Sequence, residues 1–244
     1  MKVKVEKKVP FFEVDPQLTL MPRAMLNYFQ EAVGIHSAKA GDESLSLMAQ
    51  DRAWVLSSIG IQYLRLPRLG DNLTLSTWHT GYKGFKAYRD FEIRCNGQSV
   101  VAARTVWLFI DLAKKRILRI PKSTDVDYTT EPCLACDLDP DSWQPETKFE
   151  PEHVKTIATR PSDYDPLGHV NNAAYFDYLL DLRMSCLPER GTFGNLMLHY
   201  AKEIPDIPAV QAGIARKDDT YLFKIFSEDI IHAAGQFTLQ PNGE

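Results

Sequence analysis

The stretch Arg160-Pro-Ser-Asp-Tyr-Asp-Pro-Leu-Gly-His-Val-Asn-Asn-Ala-Ala-Tyr brings Asp163, Asp165, His169, Asn171 and Asn172 within ten residues. It reads as a loop that runs into the start of a long helix. Gly168 permits a close backbone approach there. A helix N-terminus offers free N–H groups and positive potential, which suits a developing oxyanion. An Asp beside such donors can serve as general base or as carboxylate nucleophile. The reading therefore takes Asp165 as base or nucleophile, His169 as the residue that orients the site, and the N–H groups from Gly168 to Val170 as oxyanion donors. Asn171 and Asn172 could supply an amide. The plainer reading is that Asp and Asn before a helix are caps and turn formers.

Such a loop needs elements to hold it. Apolar residues at Met21, Met25, Tyr28, Phe29, Ala32 and Val33 have helical spacing, with Pro22 suited to the first turn and Gly41 beyond the pattern. Strand-like runs follow at Trp54–Leu66, Leu73–Thr80, Ala87–Cys95, Ser99–Asp111 and Ile117–Ile120, with Asn96-Gly97 as a hairpin signal. After residue 150 the order repeats. A short strand at Val154–Thr159 precedes a helix from about Val170, and strands follow at Leu196–Ala201, Val210–Arg216, Tyr221–Ser227 and Ile230–Gln240. Between the copies, residues 121–150 carry Pro121, Pro132, Pro140 and Pro145 without periodicity and read as an extended linker. The expectation is an α+β chain. It has an N-terminal domain at 1–120, a linker at 121–150 and a C-terminal domain at 151–244. Each domain is a long helix against a curled antiparallel sheet, the two sheets joined as a pseudo-dimer. Aligning Tyr28-Phe29 with Tyr175-Phe176 sets Asp165 opposite Leu18 and His169 opposite Pro22. In that register the polar cluster belongs to one copy alone, which favours catalysis over mere capping.

Asp165-Pro-Leu-Gly-His-Val-Asn-Asn-Ala-Ala-Tyr resembles the active-site motif of hot-dog-fold thioesterases, in which Asp is followed by Gly-His-Val-x-Asn and Tyr. More widely, the chain is similar to the plant and bacterial acyl-ACP thioesterases, which are tandem hot dogs. The matches are Leu26-Asn-Tyr-Phe-Gln-Glu-Ala, Ala53-Trp-Val-Leu, Pro67-Arg-Leu-Gly-Asp, Ser76-Thr-Trp, Ala103-Arg-Thr-Val-Trp-Leu-Phe-Ile-Asp, Ser162-Asp-Tyr-Asp, His169-Val-Asn-Asn and Leu198-His-Tyr-Ala-Lys-Glu. The resemblance implies hydrolysis of a fatty acyl thioester of acyl carrier protein. It carries Asp, His and Glu roles to Asp165, His169 and Glu203, with Glu203 preparing water. The family's Asn two residues after the Asp is Leu167 here, which moves the local motif toward the acyl-CoA type. Apolar residues on the inner face of the first helix, Met25, Phe29 and Ala32, are expected to line the acyl channel. The rival functions are an acyl-CoA thioesterase and a non-catalytic acyl- or carrier-binding module.

Other classes are disfavoured. The 244 residues include 28 basic and 32 acidic side chains, a formal charge of −4, and a pI near 5.9, so no broad basic field suggests nucleic acid. No apolar run suggests a membrane span, and the charged N-terminus lacks the apolar core of a secretory signal. The expected location is cytoplasmic. Cys133-x-x-Cys136 stands without a second pair. The scattered His36, His79, His153, His199 and His232 have no zinc spacing, so neither metal nor cofactor is expected. Neither a phosphate loop nor a Gly-x-Ser-x-Gly elbow occurs. The expected partner is acyl carrier protein, steered by candidates Arg65, Arg68, Lys83, Lys86 and Arg89, and a homodimer is left open.

Overall fold

The computed structural model describes residues 1–187 and 191–240. Residues 188–190 and 241–244, which fall in the expected second domain, lie outside the described residues. In chain order the elements are β1 (Val3–Lys8), a 3-10 turn (Phe11–Glu13), α1 (Pro22–Lys39), α2 (Ser44–Met48), β2 (Arg52–Tyr63), β3 (Asn72–Lys83), β4 (Lys86–Cys95), β5 (Gln98–Asp111), β6 (Arg116–Ile117) and α3 (Thr124–Asp127). They continue with β7 (His153–Ala158), a second 3-10 turn (Pro161–Asp163), α4 (Ala174–Cys186), β8 (Thr192–Tyr200), β9 (Ala209–Lys217), β10 (Thr220–Ser227) and β11 (Ile230–Gln240). The chain forms two compact units, Met1–Asp141 and Ser142–Glu244.

Within the first unit the strands run β1-β3-β4-β5-β2, all antiparallel, with β6 paired to β5. Within the second they run β8-β11-β10-β9-β7, again all antiparallel. Each sheet carries one long helix, the hot-dog arrangement. Asn96 and Gly97 both take positive φ, 51° and 79°, as the two-residue turn between β4 and β5 demands. Pro22 opens α1, where its missing N–H costs nothing. The helix buries Met25, Leu26, Tyr28, Phe29 and Ala32. Phe29 stacks on Phe91 of β4 with ring centroids 4.4 Å apart. Burying side chains of this size stabilises by about 1.5–3 kcal/mol each.

Two elements escape the pattern reading. The Lys-rich run Val3–Lys8 is an edge strand, and only its Val3 is fully buried. Charge on an edge hides the strand signal while guarding against unwanted pairing. The segment expected as a linker also behaves differently, because residues 121–141 belong to the first unit. Trp78 Nε1 donates to the Cys133 carbonyl at 2.7 Å and the Ala135 N–H to Asp90 Oδ2 at 2.7 Å. Arg104 Nη1 reaches the Leu138 carbonyl at 2.5 Å, while Lys86 Nζ and the Tyr88 hydroxyl hold Asp141 at 2.6 and 2.9 Å. Side chains from the sheet thus bind backbone groups and a carboxylate of an aperiodic strap, which leaves no apolar period to read.

Arg89, expected on a basic surface, is buried instead. Strand parity explains this: Ala87, Phe91, Ile93 and Cys95 all point inward from β4, and Arg89 shares their face. Its Nη1 donates to His36 Nδ1 at 2.8 Å and to Thr77 Oγ1 at 3.2 Å. Because Arg only donates, His36 Nδ1 is an acceptor. Burial, and then the adjacent cation, lower the His36 pKa from 6.5 to about 3. The folded value lies below the unfolded one. Stability from this pair is therefore complete above pH ~6.5 and is lost as pH falls toward the folded value. Asp90, raised to about 6 by burial, acts in the opposite sense as it protonates. The comparison that isolates His36 is His36→Gln, which keeps an acceptor but cannot titrate. Its melting temperature should fall less than the parent's between pH 6.5 and 4. Parallel melting curves across that range would contradict the coupling.

Candidate active site

The loop at Arg160–Asn172 is built from its backbone outward. Asp165 N–H donates to the His169 carbonyl at 2.9 Å, and Gly168 N–H to the Asp165 carbonyl at 3.0 Å. Gly168 has φ 78°, a conformation its missing Cβ makes easy. Asp165 Oδ1 accepts the Leu167 N–H at 2.8 Å, an Asx turn. One buried acid fastens the loop to its helix. Asp163 is fully buried, and its Oδ2 accepts Arg160 N–H at 3.0 Å and the Tyr178 hydroxyl at 2.9 Å. Asn171 Oδ1 accepts the Ala173 N–H at 2.9 Å, an Asx turn ahead of α4, which begins at Ala174 rather than at Val170.

The first unit has the same construction. Asp15 N–H donates to the Thr19 carbonyl at 2.9 Å, Leu18 N–H to the Asp15 carbonyl at 2.9 Å, and Met21 N–H to the Glu13 carbonyl at 2.9 Å. Tyr28 donates its hydroxyl to Glu13. Burial, and then that carboxylate, raise the Tyr28 pKa, and Tyr178 is raised in the same way beside Asp163. The structural register between copies is therefore an offset of 150, with Asp165 opposite Asp15 and His169 opposite Thr19. The alignment of Tyr28-Phe29 on Tyr175-Phe176 is three residues off. A slip of about one turn leaves a helix facing nearly the same way, so apolar spacing cannot detect it. The turn-forming Asp accordingly belongs to both copies, so the Asp by itself does not argue for catalysis.

What does differ is the set of groups around the turn. Thr19 becomes His169, Met21 becomes Asn171 and Pro22 becomes Asn172. The chain after the next strand differs as well. Leu64 and Arg65 N–H groups both donate to the Val100 carbonyl, as those of Ala201 and Lys202 do to His232, so Leu66 corresponds to Glu203 and Val100 to His232. Asp15 Oδ1 accepts two N–H groups, from Gln17 and Thr19, each at 2.9 Å. Asp165 Oδ1 accepts only that of Leu167, and nothing among the described residues accepts the His169 N–H. Two of the three donors expected for an oxyanion are engaged: Gly168 N–H in the turn and Val170 N–H on the Ile204 carbonyl at 3.0 Å. His169 N–H is the donor that remains.

The Val170–Ile204 bond brings Glu203 to the same place. Its side chain is exposed, and its carbonyl accepts His232 Nδ1 at 3.0 Å. A carbonyl only accepts, so Nδ1 carries the proton and His232 Nε2 takes the Ser227 hydroxyl at 2.7 Å. Burial lowers the His232 pKa, favouring the neutral ring. Tyr175 is buried within reach of both carboxylates. Burial chiefly, with Glu203 and Asp165 adding to it, raises its pKa. Tyr200 packs edge-on against Tyr175 at 5.1 Å and donates its hydroxyl to the Asn172 carbonyl at 3.0 Å. The structure thus gathers Asp165, Gly168, His169, Val170, Asn171, Asn172 and Glu203 in one place. Sequence reasoning missed Tyr175, Ser227 and His232. Comparison of the copies in their correct register would have marked His232. Met25, Phe29 and Ala32 face the sheet and are closed in the core of the first unit. Open space there lies at Val33 and Ser37, the next turns of α1.

Family models for the acyl-ACP thioesterase N-terminal domain match residues 1–128, and those for the C-terminal domain match residues 146–235. A chloroplastic palmitoyl-acyl carrier protein thioesterase of Arabidopsis thaliana is 24% identical over 211 residues, covering 79% of this chain and 50% of its own length. A chloroplastic dodecanoyl-[acyl-carrier-protein] hydrolase of Cinnamomum camphora is 23% identical over 210 residues, covering 79% and 53%. The chain thus spans about half the length of the curated relatives it matches. Among solved structures, the 12:0-ACP thioesterase of Umbellularia californica superposes with a TM-score of 0.85 at 17% identity, covering 98% of this chain and 97% of that one. An acyl-ACP thioesterase of Bacteroides thetaiotaomicron gives a TM-score of 0.84 at 18% identity, covering 98% of each. At these identities the superpositions establish the fold.

Because the turn Asp is structural in both copies, its loss should cost stability in both. Asp15→Ala strands two N–H groups and Asp165→Ala one. At about 1 kcal/mol per lost bond, Asp15→Ala should be the more destabilising in denaturant unfolding. Asp165→Asn keeps an acceptor oxygen and should unfold within a few tenths of a kcal/mol of the parent. An unfolding midpoint for Asp165→Ala equal to the parent's would remove the carboxylate from the architecture of the turn.

Proposed function

The chain belongs to the acyl-ACP thioesterase family, and from that membership we propose that it hydrolyses the thioester of an acyl chain carried by acyl carrier protein and releases the free acid. The observation that carries this reading is the confinement of His169, Asn171, Asn172, Glu203 and His232 to the second copy of a shared turn. In that copy the His169 N–H is also released from the Asp carboxylate. Asp165 Oδ2, half-exposed with Oδ1 held by the Leu167 N–H, is the base. It takes a proton from water as the water oxygen bonds to the thioester carbon. Charge developing on the carbonyl oxygen falls to the His169 N–H near the start of α4. The carbon–sulfur bond then breaks, and the proton passes from Asp165 to the leaving thiolate sulfur. Glu203 holds the attacking water. His232, bonded to the Glu203 carbonyl, fixes the segment that carries it. Asn171 holds the turn that leads into α4.

Acyl carrier protein is the proposed partner. Arg68 and Lys83 are exposed, Arg65 is paired with Asp71 at 3.0 Å and Lys86 with Asp141 at 2.6 Å. Surface attraction of this kind speeds encounter and weakens with salt. Leu167 favours a second reading, an acyl-CoA thioesterase. The turn takes only a backbone N–H from this residue, and its side chain offers no amide to orient a nucleophile.

Turnover of acyl-ACP and acyl-CoA at equal concentration separates these readings. The proposal expects acyl-ACP to be the better substrate by kcat/KM, whereas a preference for acyl-CoA installs the second reading. Absence of turnover on both makes the chain a binding module. Asp165→Asn, which preserves the turn, should lower kcat by at least ~10²-fold. Glu203→Gln should lower kcat with little change in unfolding midpoint, since its side chain is exposed. Activity of Asp165→Asn within a few-fold of the parent would end the catalytic assignment.

A further inference from the structure

The two copies differ away from the chemistry as well as at it. At the helix offset of 150, Phe11 and Phe12 of the first 3-10 turn correspond to Pro161 and Ser162, and Leu18 corresponds to Gly168. The segments after β2 and β8 run at an offset of 137. Val9 N–H donates to the Asp71 carbonyl as Thr159 N–H does to that of Pro208, and Leu20 N–H to Pro67 as Val170 N–H does to Ile204. Leu69 therefore corresponds to Asp206.

In the first unit, residues 9–20 and 67–71 are laced into one surface. Gly70 N–H donates to the Val9 carbonyl at 3.0 Å, Leu20 N–H to that of Pro67 at 2.8 Å and Leu69 N–H to that of Leu18 at 2.9 Å. Four large apolar side chains stand out from it: Phe11 is 77% exposed, Phe12 78%, Leu18 45% and Leu69 38%. Clustered exposure of this kind marks an interaction site. The fold does not require these residues, because the second copy builds the same turn with Pro161, Ser162, Gly168 and Asp206. Leu18 is the sharpest case. Its φ is 61°, in the left-handed region where a Cβ crowds the backbone, and its counterpart is a glycine at 78°. The first copy keeps a leucine where the backbone favours glycine and the side chain is left in solvent. Neither packing nor backbone accounts for it.

Charge around the tip is one-sided. Its acids are half-buried and engaged. Glu13 accepts the Tyr28 hydroxyl, and Asp15 Oδ1 accepts the N–H groups of Gln17 and Thr19. Asp71 Oδ2 faces Arg65 Nη2 and accepts the Arg68 N–H, each at 3.0 Å. Lys8 and Arg68, by contrast, are exposed, and their side chains have no carboxylate partner among the described residues. Arg68 Nη2 reaches the Gln17 carbonyl at 3.4 Å, in the turn that carries Leu18. Lys4 shares the outward face of β1 with Lys8.

We propose that this tip docks the protein on an anionic lipid surface. Phe11, Phe12 and Leu18 enter the boundary between headgroups and acyl chains, and Lys8 and Arg68 meet lipid phosphates. Apolar side chains on the apex of a turn, with cations at headgroup level, need no pocket in the partner, only a fluid apolar layer beneath negative charge. That favours a bilayer over an acidic protein. The docking is peripheral, since no helix among the described residues is long and apolar enough to cross a membrane. It stands whichever thioester the second unit takes.

The full chain is sedimented with vesicles of phosphatidylcholine alone and of an equal mixture of phosphatidylcholine and phosphatidylglycerol. Partition onto the mixed vesicles should be stronger by at least ~10-fold at low salt and should weaken as salt rises. Phe12→Ser with Leu18→Gly, each installing the second copy's residue, should weaken it by at least ~10-fold. Leu18→Gly alone should weaken it with no fall in melting temperature, since it relieves the left-handed strain. Binding to neither vesicle, equal binding to both, or undiminished binding of the double variant overturns the proposal. So does a parent that sediments as a dimer in buffer while the double variant sediments as a monomer, which assigns the patch to a second copy of this chain. Loss of acyl-ACP turnover by the double variant without vesicles assigns it to the carrier protein and overturns the proposal as well. Should the double variant not fold, Lys8→Glu with Arg68→Glu decides: retention of the preference for mixed vesicles ends the assignment.

Discussion

A hydrogen bond from a buried tyrosine to a carboxylate in the preceding turn governs the geometry of each half of this protein. Tyr28 reaches back to Glu13, and Tyr178 to Asp163 at 2.9 Å. The partner two turns along the helix holds the turn against the helix's first residues. The turn carbonyls of Glu13 and Asp163 can then accept the N–H groups of Met21 and Asn171. Once this is set, the next Asp organises a tight reversal with its own carboxylate, and the backbone donors that follow have little freedom. A chemical site placed here inherits rigidity from the helix and sheet instead of relying on a mobile loop. In the second copy the buried Asp163 is the anchor, and the half-exposed Asp165 is the base of the proposed mechanism. Neighbouring positions in the same turn divide these roles by their exposure.

Duplication separates what the fold requires from what the chemistry requires. Both copies keep the acid–tyrosine bond, the Asx turn and the helix, so these belong to architecture. The second copy adds His169, Asn171, Asn172, Glu203 and His232, and the last two are joined by a bond from His232 Nδ1 to the Glu203 carbonyl. Apolar Leu66 and Val100 fill those places in the first copy. Placing His232 in the core carries a desolvation cost, offset by two well-aligned hydrogen bonds. The first copy spends its polar residues elsewhere, on Arg89, His36 and Thr105.

The order of helix and strands was legible because antiparallel strands with one buried face alternate, and the long helices carry apolar stripes. Asn96-Gly97 marked its hairpin for a reason of φ alone. The motif residues around Asp165 were legible as a group, since capping and turn chemistry reside in residue type. The register between the copies was not. It is recorded in hydrogen bonds from Asp15 and Asp165, while the visible likeness of Tyr28-Phe29 to Tyr175-Phe176 lies one helical turn away from the true match. Nor was the strap at 121–141 legible, because much of its binding runs through its own carbonyls and N–H groups, which every residue possesses. Arg89 was misplaced for a related reason: its charge suggests a surface, but its parity with Ala87, Phe91 and Ile93 assigns it to the interior.

That last conflict is informative beyond one residue. Periodicity and charge usually agree, and where they disagree the sequence departs from what stability alone would select. In β4 the departure is paid for by neutral acceptors. His36 loses its basicity so that its Nδ1 can accept, and Thr77 supplies a hydroxyl. These two satisfy one nitrogen of the guanidinium. A protein selecting only for a well-packed helix on a sheet has a better solution at hand, the stacked Tyr221–Phe237 pair of its own second half.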